Sequence, residues 1–429
     1  MIYVVILHYN KQIAKMLKSN IKKLLSWSEK YTKTDMTYLL KGGFWLTLGQ
    51  IALAVISLGL SVALANLVSP DVLGQYKFVL AGASIIGAFG LTGMSVAAIR
   101  SIARGFEGTL LVGARDSLRW SFGIVILALG TSLYYYIQDN PSLSLSFLIV
   151  AVLSPIIASA SLFAAYLNGT KRFAQLTFFN VIRQSLIAIA IVATINFTVD
   201  PLLIVLIYFV VDATICSILF LITQLIFVTN QNKEGSTLSY SKHLSLMEVI
   251  KIIASQIDKI LIFTFLGAGP LAVYTIAMAP IVQLKGLDQT VANLAFPKFS
   301  QRSFVELQKT LAKKVALLTA IMTLLGLAYI FAAPYIFSLL FPQYMESVIY
   351  SQVYTTSLLV IPSILFVKAL TAHKKTKEQY ILKTVTPAIK IALLAALLPI
   401  YGIWGVLAAL ISTEIAWMLL TIYLFYKAK

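Results

Sequence analysis

The sequence is poor in charge: only 12% of its 429 residues are Asp, Glu, Lys or Arg, while 59% are hydrophobic. A soluble globular protein is roughly a quarter charged, so a water-soluble multi-domain enzyme is disfavoured. Cysteine and histidine are also scarce, with one cysteine and three histidines. Cys216 alone cannot form an internal disulfide framework or a cysteine-rich metal site, and we expect it to be a small core residue. No metal-site or catalytic-triad spacing links the histidines.

A nucleotide-binding motif is absent as well. No GxxxxGK[ST] sequence occurs, and the connections between the apolar runs described below are under about twenty residues long, too short for a folded nucleotide-binding domain. We therefore expect neither ATP hydrolysis nor a bound cofactor or metal.

What the sequence has instead is about twelve apolar runs, most of them of roughly twenty residues or more and long enough to cross a bilayer. Their limits are 43–67, 74–99, 119–138, 143–168, 175–197, 201–228, 247–267, 271–296, 314–340, 347–370, 384–400 and 403–426. The formal charge of +18 is divided among the segments between these runs rather than spread over a polar surface. The lipid bilayer is therefore the expected partner and nucleic acid is not.

The distribution of lysine and arginine predicts the orientation of the chain. With the N-terminus in the cytoplasm, 28 of the 34 Lys and Arg residues fall on the cytoplasmic side, five within runs and only Lys77 at an outer end. We therefore expect both termini to be cytoplasmic. The outer connections are turns of a few residues, such as 69–71, 139–141 and 267–270, which excludes an extracytoplasmic domain.

Four segments are predicted from this pattern. They are a basic amphipathic leader on the cytoplasmic membrane surface (1–42), an N-terminal six-helix bundle (43–229), a cytoplasmic linker (230–246) and a C-terminal six-helix bundle (247–429). A weak internal repeat supports the two bundles, since Leu73-Gly74-Gln75-Tyr76 is echoed 198 residues later by Leu271-Ala272-Val273-Tyr274. The predicted fold is an all-α membrane protein of about twelve transmembrane helices, in two six-helix bundles around a central cleft.

Charged residues inside apolar runs are costly, so they usually face a cavity or a partner. In the seventh run, polar residues recur every three to four positions and share one helical face: Glu248, Lys251, Ser255, Asp258 and Lys259. The eighth run has a comparable stripe: Lys285, Asp288, Gln289 and Asn293. Other runs carry Arg183, Asp212, Lys390 and Glu414. Lys390 is close enough to an inner end to snorkel to the interface, and Arg100 and Arg104 are expected to be topology determinants.

Six short stretches carry a resemblance to a known family. They are VSPDVLGQYKFV (68–79), GLTGMSVAAIRSIAR (90–104), LNGTKRFAQLTFFNVIR (167–183), SQIDKILIFTFLGAGPLAVYTIAM (255–278), AFPKFS (295–300) and YGIWGVLAALIS (401–412). In order and spacing they resemble the Wzx-type oligosaccharide-lipid flippases, in the polysaccharide transporter branch of the MOP superfamily that includes the MATE antiporters. The similarity runs from Leu39 to Tyr426. Two features depart from it, the basic leader and the turn at Phe341-Pro342, where relatives often have Gly after the Phe.

The resemblance implies a flippase in the bacterial inner membrane, which moves an undecaprenyl-diphosphate-linked oligosaccharide outward for O-antigen, capsule or exopolysaccharide assembly. Polysaccharide polymerase machinery would then be a partner. The candidate substrate-binding residues are Arg183, Lys259, Lys285, Gln289 and Asn293, because cationic groups in low dielectric bind phosphate strongly. Arg183 has no acid nearby in the sequence. The carboxylates available for H⁺ or Na⁺ coupling are Asp258, Asp288, Asp212 and Glu414.

Other interpretations of the same residues stay open. Lys251 with Asp258, and Lys285 with Asp288, could be buried pairs that only hold helices together. In function, one rival is a MATE-like cation-coupled antiporter, which a net cationic cleft disfavours. The other is a membrane-embedded polysaccharide polymerase or ligase, an enzyme that would need basic residues on a sizeable outer loop. The favoured prediction is a transporter rather than an enzyme.

Overall fold

The computed structural model describes residues 36–235, 237–300 and 302–428, and the side chains of these residues except those of 36–42, 247, 286–298 and 300. All regular structure in the described ranges is helical, which confirms the predicted class. The α-helices are α1 Met36–Leu67, α2 Pro70–Gly87, α3 Met94–Ala103, α4 Thr109–Trp120, α5 Phe122–Ile137, α6 Pro141–Ala160, α7 Leu162–Gly169, α8 Phe173–Ile195, α9 Pro201–Ile222, α10 Thr237–Leu266, α11 Ala268–Ser300, α12 Phe304–Leu340, α13 Ser347–Tyr354, α14 Ile364–Ala372 and α15 Thr376–Lys427.

Sharp turns at the predicted outer end follow from local sequence. Ser69, Asn140 and Asp200 each precede a proline, and the side chain of each accepts a backbone N–H from the first turn of α2, α6 or α9. Proline fits the first helical position because its missing N–H would have no partner there, and the capping oxygen satisfies one of the free N–H groups. Chain reversal is thereby achieved in a few residues.

The helices follow the predicted apolar runs, although several runs are interrupted or joined; the fourth run, for example, is divided between α6 and α7. The second run is interrupted between α2 and α3, and the tenth is broken into α13, two 3₁₀ stretches around Pro362, and α14. The eleventh and twelfth runs form one continuous element, α15, kinked at Gly402, whose φ of 57° lies in the left-handed region that glycine adopts readily. Eight segments of the described chain are long and apolar enough to span a membrane. The number twelve stays a prediction.

The hydrophobic core is shared by the two halves of the chain at one end only. One cluster joins residues of both halves, such as Leu64, Phe147, Tyr274 and Phe337. A second cluster around Phe163 belongs to the N-terminal half and a third, around residues such as Phe425, to the C-terminal half. The shared cluster includes the starts of α2 and α11, which is the predicted outer end, while the separate clusters lie towards the predicted cytoplasmic end. The halves are therefore packed together at the predicted outer end and separately at the predicted cytoplasmic end.

The repeated tetrapeptides lie at the predicted outer end, where the halves pack together. Leu73 to Tyr76 and Leu271 to Tyr274 occupy the fourth to seventh positions of α2 and α11, which confirms that each copy opens a helix. The two helices touch where Gly74 meets Ala268: a Cβ on Gly74 would lie 1.9 Å from the Ala268 carbonyl oxygen. Only glycine permits this approach of two backbones.

The connection between the halves is fastened to the N-terminal half. The carboxylate of Glu107, between α3 and α4, accepts hydrogen bonds from the backbone N–H of Thr229 (2.6 Å), the Thr229 hydroxyl (3.0 Å) and the Tyr166 hydroxyl (2.9 Å). Arg104 forms an ion pair with Glu234 in the same segment. We call these contacts the linker clasp. Burial alone would raise the pKa of Glu107, but the hydrogen bonds outweigh it and lower that pKa below its usual value.

The predicted segment boundaries are only partly matched by helix limits. Residues 36–42 of the predicted leader belong to α1, and residues 1–35 lie outside the described ranges. Within the predicted linker 230–246, α10 already begins at Thr237, and its first turns pack on α3, where the Gly93 N–H donates to the Ser245 hydroxyl at 2.8 Å. The start of α10 therefore belongs to the surface of the N-terminal half.

Candidate substrate site

Asp258 of α10 is held by a lysine from the far end of the chain. Lys390 of α15 places its Nζ 3.2 Å from Asp258 Oδ1 and 2.6 Å from the Ala254 carbonyl oxygen, and the Tyr274 hydroxyl donates to the other carboxylate oxygen. The side chains of Lys390 and Asp258 are 16% and 7% exposed. The expectation that Lys390 snorkels to the interface is wrong, because its ammonium group finds two oxygen acceptors in the interior. The suggested Lys251–Asp258 pair is wrong for the same reason, and Lys251 instead contacts Glu248 at 2.9 Å.

A second cluster joins α11, α13 and α15. Lys285 Nζ lies 2.6 Å from Glu414 Oε1 and 2.9 Å from the Tyr354 hydroxyl, which itself donates to Glu414 at 3.1 Å. The other oxygen of Glu414 is buried and has no hydrogen-bond partner among the described atoms. Tyr274 of the first cluster lies on the same helix, α11, as Lys285 of the second, and Lys390 and Glu414 both lie on α15. The two clusters thus share α11 and α15, and we call them together the polar network.

The N-terminal half has a single buried pair of its own among the described residues. Arg183 of α8 and Asp212 of α9 form a bidentate ion pair, with Nε to Oδ1 at 2.5 Å and Nη2 to Oδ2 at 2.9 Å. Arg183 has no acid nearby in the sequence, and its acidic partner lies 29 residues away on the next helix. The pair lines a cavity of about 290 Å³ inside this half, together with Ser84, Ser154 and Tyr208. Cys216 is fully buried beside Asp212, as expected of a core residue.

Lys259 differs from these lysines because its hydrogen-bond partner is neutral. Its Nζ donates to the amide oxygen of Gln256 at 2.7 Å, one turn earlier in α10. The neighbouring Asp258 is already engaged by Lys390 and Tyr274. Lys259 is only partly exposed. No carboxylate among the described side chains lies within ion-pair distance of its ammonium group.

Lys77 is the residue that sequence reasoning misplaced. Its predicted place is an outer helix end, yet it lies seven residues after Pro70 within α2 and is partly buried. The described side chains place no carboxylate within ion-pair distance of it; its nearest recorded contact is the Tyr76 ring, 5.6 Å from Nζ. Pro70 marks the start of α2, and counting seven residues from this proline places Lys77 inside the helix rather than at its end.

The structure brings some of the predicted site residues together and leaves others apart. Lys259 and Lys285 belong to the network of α10, α11 and α15, whereas Arg183 lies within the N-terminal half. The side chains of Asp288, Gln289 and Asn293 lie outside the described set, so their places in the site and the suggested Lys285–Asp288 pair stay predictions.

Similarity to solved structures defines the class of protein. The chain resembles an inward-facing MATE family multidrug resistance transporter (TM-score 0.62, 14% identity, covering 87% of this chain and 94% of that one). It resembles the lipid II flippase MurJ in an inward closed conformation equally well (0.62, 16%, 88% and 86%). A MOP superfamily transporter from Pyrococcus furiosus is also similar (0.59, 14%, 91% and 95%). The chain therefore has the all-helical fold of the MOP superfamily transporters.

The family follows from the sequence comparison. The model of the polysaccharide biosynthesis protein family matches residues 39–303, more than half of the chain. The chain belongs to this family of membrane proteins, as its resemblance to the Wzx-type flippases implies. Comparison with curated protein sequences gives no match.

Proposed function

We propose that the protein is a flippase for an undecaprenyl-diphosphate-linked oligosaccharide, which it moves from the cytoplasmic to the outer leaflet by alternating access. The product would serve O-antigen, capsule or exopolysaccharide assembly, with a polysaccharide polymerase as the next participant. Membership of the polysaccharide biosynthesis family supports the pathway, and the fold shared with a lipid II flippase supports the reaction. We place the protein in the bacterial inner membrane with both termini in the cytoplasm, on the lysine and arginine asymmetry.

The observation that carries the proposal is that no carboxylate among the described side chains lies within ion-pair distance of Lys259. A sugar-diphosphate head group cannot cross hydrocarbon unaided, so a carrier needs a polar path and a cation to hold it. Among the described side chains in and around the polar network there are four lysines and two carboxylates: Lys77, Lys259, Lys285 and Lys390, against Asp258 and Glu414. The surplus of two positive charges fits an anion with two phosphoryl groups and opposes binding of a cationic drug.

Arg183 and Lys285 would couple transport to an ion as well as bind phosphate, because each already forms an ion pair with a carboxylate. For either to contact phosphate, Asp212 or Glu414 must be released, and a released carboxylate in a poorly hydrated site takes up a proton or a Na⁺ ion. We therefore propose these two acids as the coupling groups. Asp258 is less suited while Lys390 and Tyr274 hold it, and Asp288, with Gln289 and Asn293, stays a sequence-based candidate on the same helix as Lys285.

The packing of the two halves at the predicted outer end supports the assignment of the structure to one state of the transport cycle. With the halves joined around Gly74 and Ala268 and their cores separate at the other end, the polar network is opened most easily from the cytoplasmic side. We assign the structure to the state that receives the lipid-linked substrate. Outward release then requires the contact between α2 and α11 to break.

The test compares two lysines on the same helix. We expect Lys259→Ala to abolish surface polysaccharide in a strain that depends on this gene product, with normal protein abundance, because the charge is not needed for folding. Lys251→Ala is the matched control, since Lys251 is 71% exposed and pairs only with Glu248; it should export normally. Normal export by Lys259→Ala at equal abundance would refute the proposal, and transport of a cationic dye by the purified protein would favour an antiporter.

A further inference from the structure

Asn66, in the last turn of α1, forms hydrogen bonds to the other half of the protein. Its side-chain amide donates to the carbonyl oxygen of Leu340, 274 residues later, at 2.8 Å. Its backbone carbonyl oxygen accepts a hydrogen bond from the side-chain amide of Gln343 at 3.3 Å. Among the described residues these are the only hydrogen bonds between residues 43–229 and 247–429, and no ion pair joins these two ranges. The core that the halves share at this end is otherwise apolar.

The acceptor on Leu340 exists because α12 ends abruptly. Phe341 precedes Pro342, and the residue before a proline is disfavoured in the helical conformation, so the helix ends at Leu340. In a continuing helix the N–H of Tyr344 would donate to the Leu340 carbonyl oxygen, but it donates instead to that of Phe341 at 2.9 Å. The Leu340 carbonyl is therefore one of the free acceptors at a helix C-terminus, and Asn66 from the other half satisfies it.

Both sides of this contact are held rigidly before they meet. The Asn66 amide also donates to the carbonyl oxygen of Val62, four residues earlier in α1, at 2.8 Å, so both of its N–H groups are used. On the other side, Phe341 and Tyr344 are fully buried in the shared core and fix the turn that follows α12. A hydrogen bond between groups that are already ordered loses little conformational entropy when it forms.

The strength of the contact suits a restraint that has to be released in every transport cycle. While the halves are packed together at the predicted outer end, the amide and the carbonyl satisfy each other. When the halves separate there, water takes the place of each partner, so the closed arrangement is favoured only by the net value of one or two hydrogen bonds. Such a contact restrains the outer end without locking it.

We propose that Asn66 is a latch on the outer end, whose bonds to Leu340 and Gln343 set the equilibrium between the closed and the outward-open arrangement of the halves. The proposal rests on the alternating access of the proposed function and needs no particular substrate. The latch keeps the empty carrier in the state that receives substrate. Opening towards the outside then remains rare until a loaded substrate favours it.

The rate at which a buried cysteine becomes accessible tests the latch. Ala272→Cys, in a Cys216→Ala background, places a thiol at a fully buried position of α11 within the core shared by the halves. A water-soluble maleimide can label this thiol, in protein held in lipid nanodiscs, once the outer end opens. We expect Asn66→Ala and Asn66→Leu, which is similar in volume to the native side chain, to raise the labelling rate roughly two- to tenfold. Gln343→Ala should raise it less, since its bond is longer and exposed.

Two controls separate opening of the outer end from other effects. Asn196, just after α8, also donates its amide to a carbonyl oxygen four residues earlier, that of Val192, but has no bond to the other half among the described residues. Asn196→Ala should therefore leave the labelling rate unchanged. A second reporter, Ala165→Cys, lies in the core of the N-terminal half alone. Its labelling should be equal in all variants, because opening leaves it buried whereas unfolding exposes it.

The outcomes decide the proposal without involving the substrate. Equal labelling of Ala272→Cys in the Asn66→Ala and Asn196→Ala variants would refute the latch. A rate that rises alike at both reporters would also refute it, since the bonds would then only stabilise the fold. Should Asn66→Ala be unstable, Gln343→Ala repeats the comparison from an exposed side chain, and an unchanged rate there overturns the latch. Each of these results leaves the proposed function to its own test, export by the Lys259→Ala variant.

Discussion

Removing Lys390 should destabilise the protein far more than removing any exposed lysine. In Lys390→Met the Asp258 carboxylate stays buried, with the Tyr274 hydroxyl as its remaining donor. Stranding one partner of a buried pair costs about 3 to 5 kcal/mol. A further change, Asp258→Asn, removes the stranded charge, and the double variant should return to within about 1 to 2 kcal/mol of the wild type, because a neutral replacement of a buried pair is often tolerated. The second change is therefore expected to recover about 2 to 3 kcal/mol of the stability lost in Lys390→Met.

The measurement is a double-mutant cycle on detergent-solubilised protein, with unfolding followed by denaturant titration. Lys383→Met is the matched control: Lys383 lies on the same helix α15, is exposed, and its loss should change the free energy of unfolding by no more than about 0.5 kcal/mol. If Lys390→Met were as stable as this control, or if Asp258→Asn brought no recovery, the buried pair would not exist as described. Lys259→Met should resemble the control, since no carboxylate among the described side chains lies within ion-pair distance of Lys259.

Three more outcomes follow from the described contacts. Arg183→Asp should reduce the yield of folded protein by placing two carboxylates together, and adding Asp212→Arg should restore it; an undiminished yield in the single variant would argue against the pair. The stabilisation that Glu107 gives the linker clasp should be constant above about pH 5 and disappear as the pH falls through the lowered pKa of this group. The reason is that a carboxyl group whose pKa is depressed in the folded state loses its contribution to stability on protonation. The melting-temperature difference between wild type and Glu107→Gln over pH 3 to 8 measures this contribution. Cysteine labelling in a background without the native cysteine should find Asp139 outside and Lys375 inside, and the opposite result would invert the topology.

The sequence predicts where charge enters the apolar helices but not which charges meet. Lysines and carboxylates stand out against their hydrophobic neighbours, so the polar faces of α10 and α11 can be recognised from spacing alone. The true partners of Asp258 and Lys285 lie more than a hundred residues away, on α15. Helical periodicity suggests partners three or four residues distant, and this is why a local pair such as Lys251 with Asp258 stays an open interpretation at the level of sequence.

Helix breaks are similarly hard to predict in such a chain. The interruption after Gly87 and the 3₁₀ stretches around Pro362 occur within apolar runs, because buried backbone groups can find partners in neighbouring helices. Lys77 was misjudged for a related reason. Its distance from the membrane surface depends on where α2 begins, and Pro70, rather than the first strongly apolar residue, marks that point.

The linker clasp joins segments that are synthesised at different times. Glu107 and Tyr166 leave the ribosome well before Thr229, and domains generally fold as units in the order in which they are made. The N-terminal half therefore receives its fastening segment as its last piece, before the helices of the other half exist. Its surface at the predicted cytoplasmic end is completed by contacts within its own chain, before the second half is synthesised.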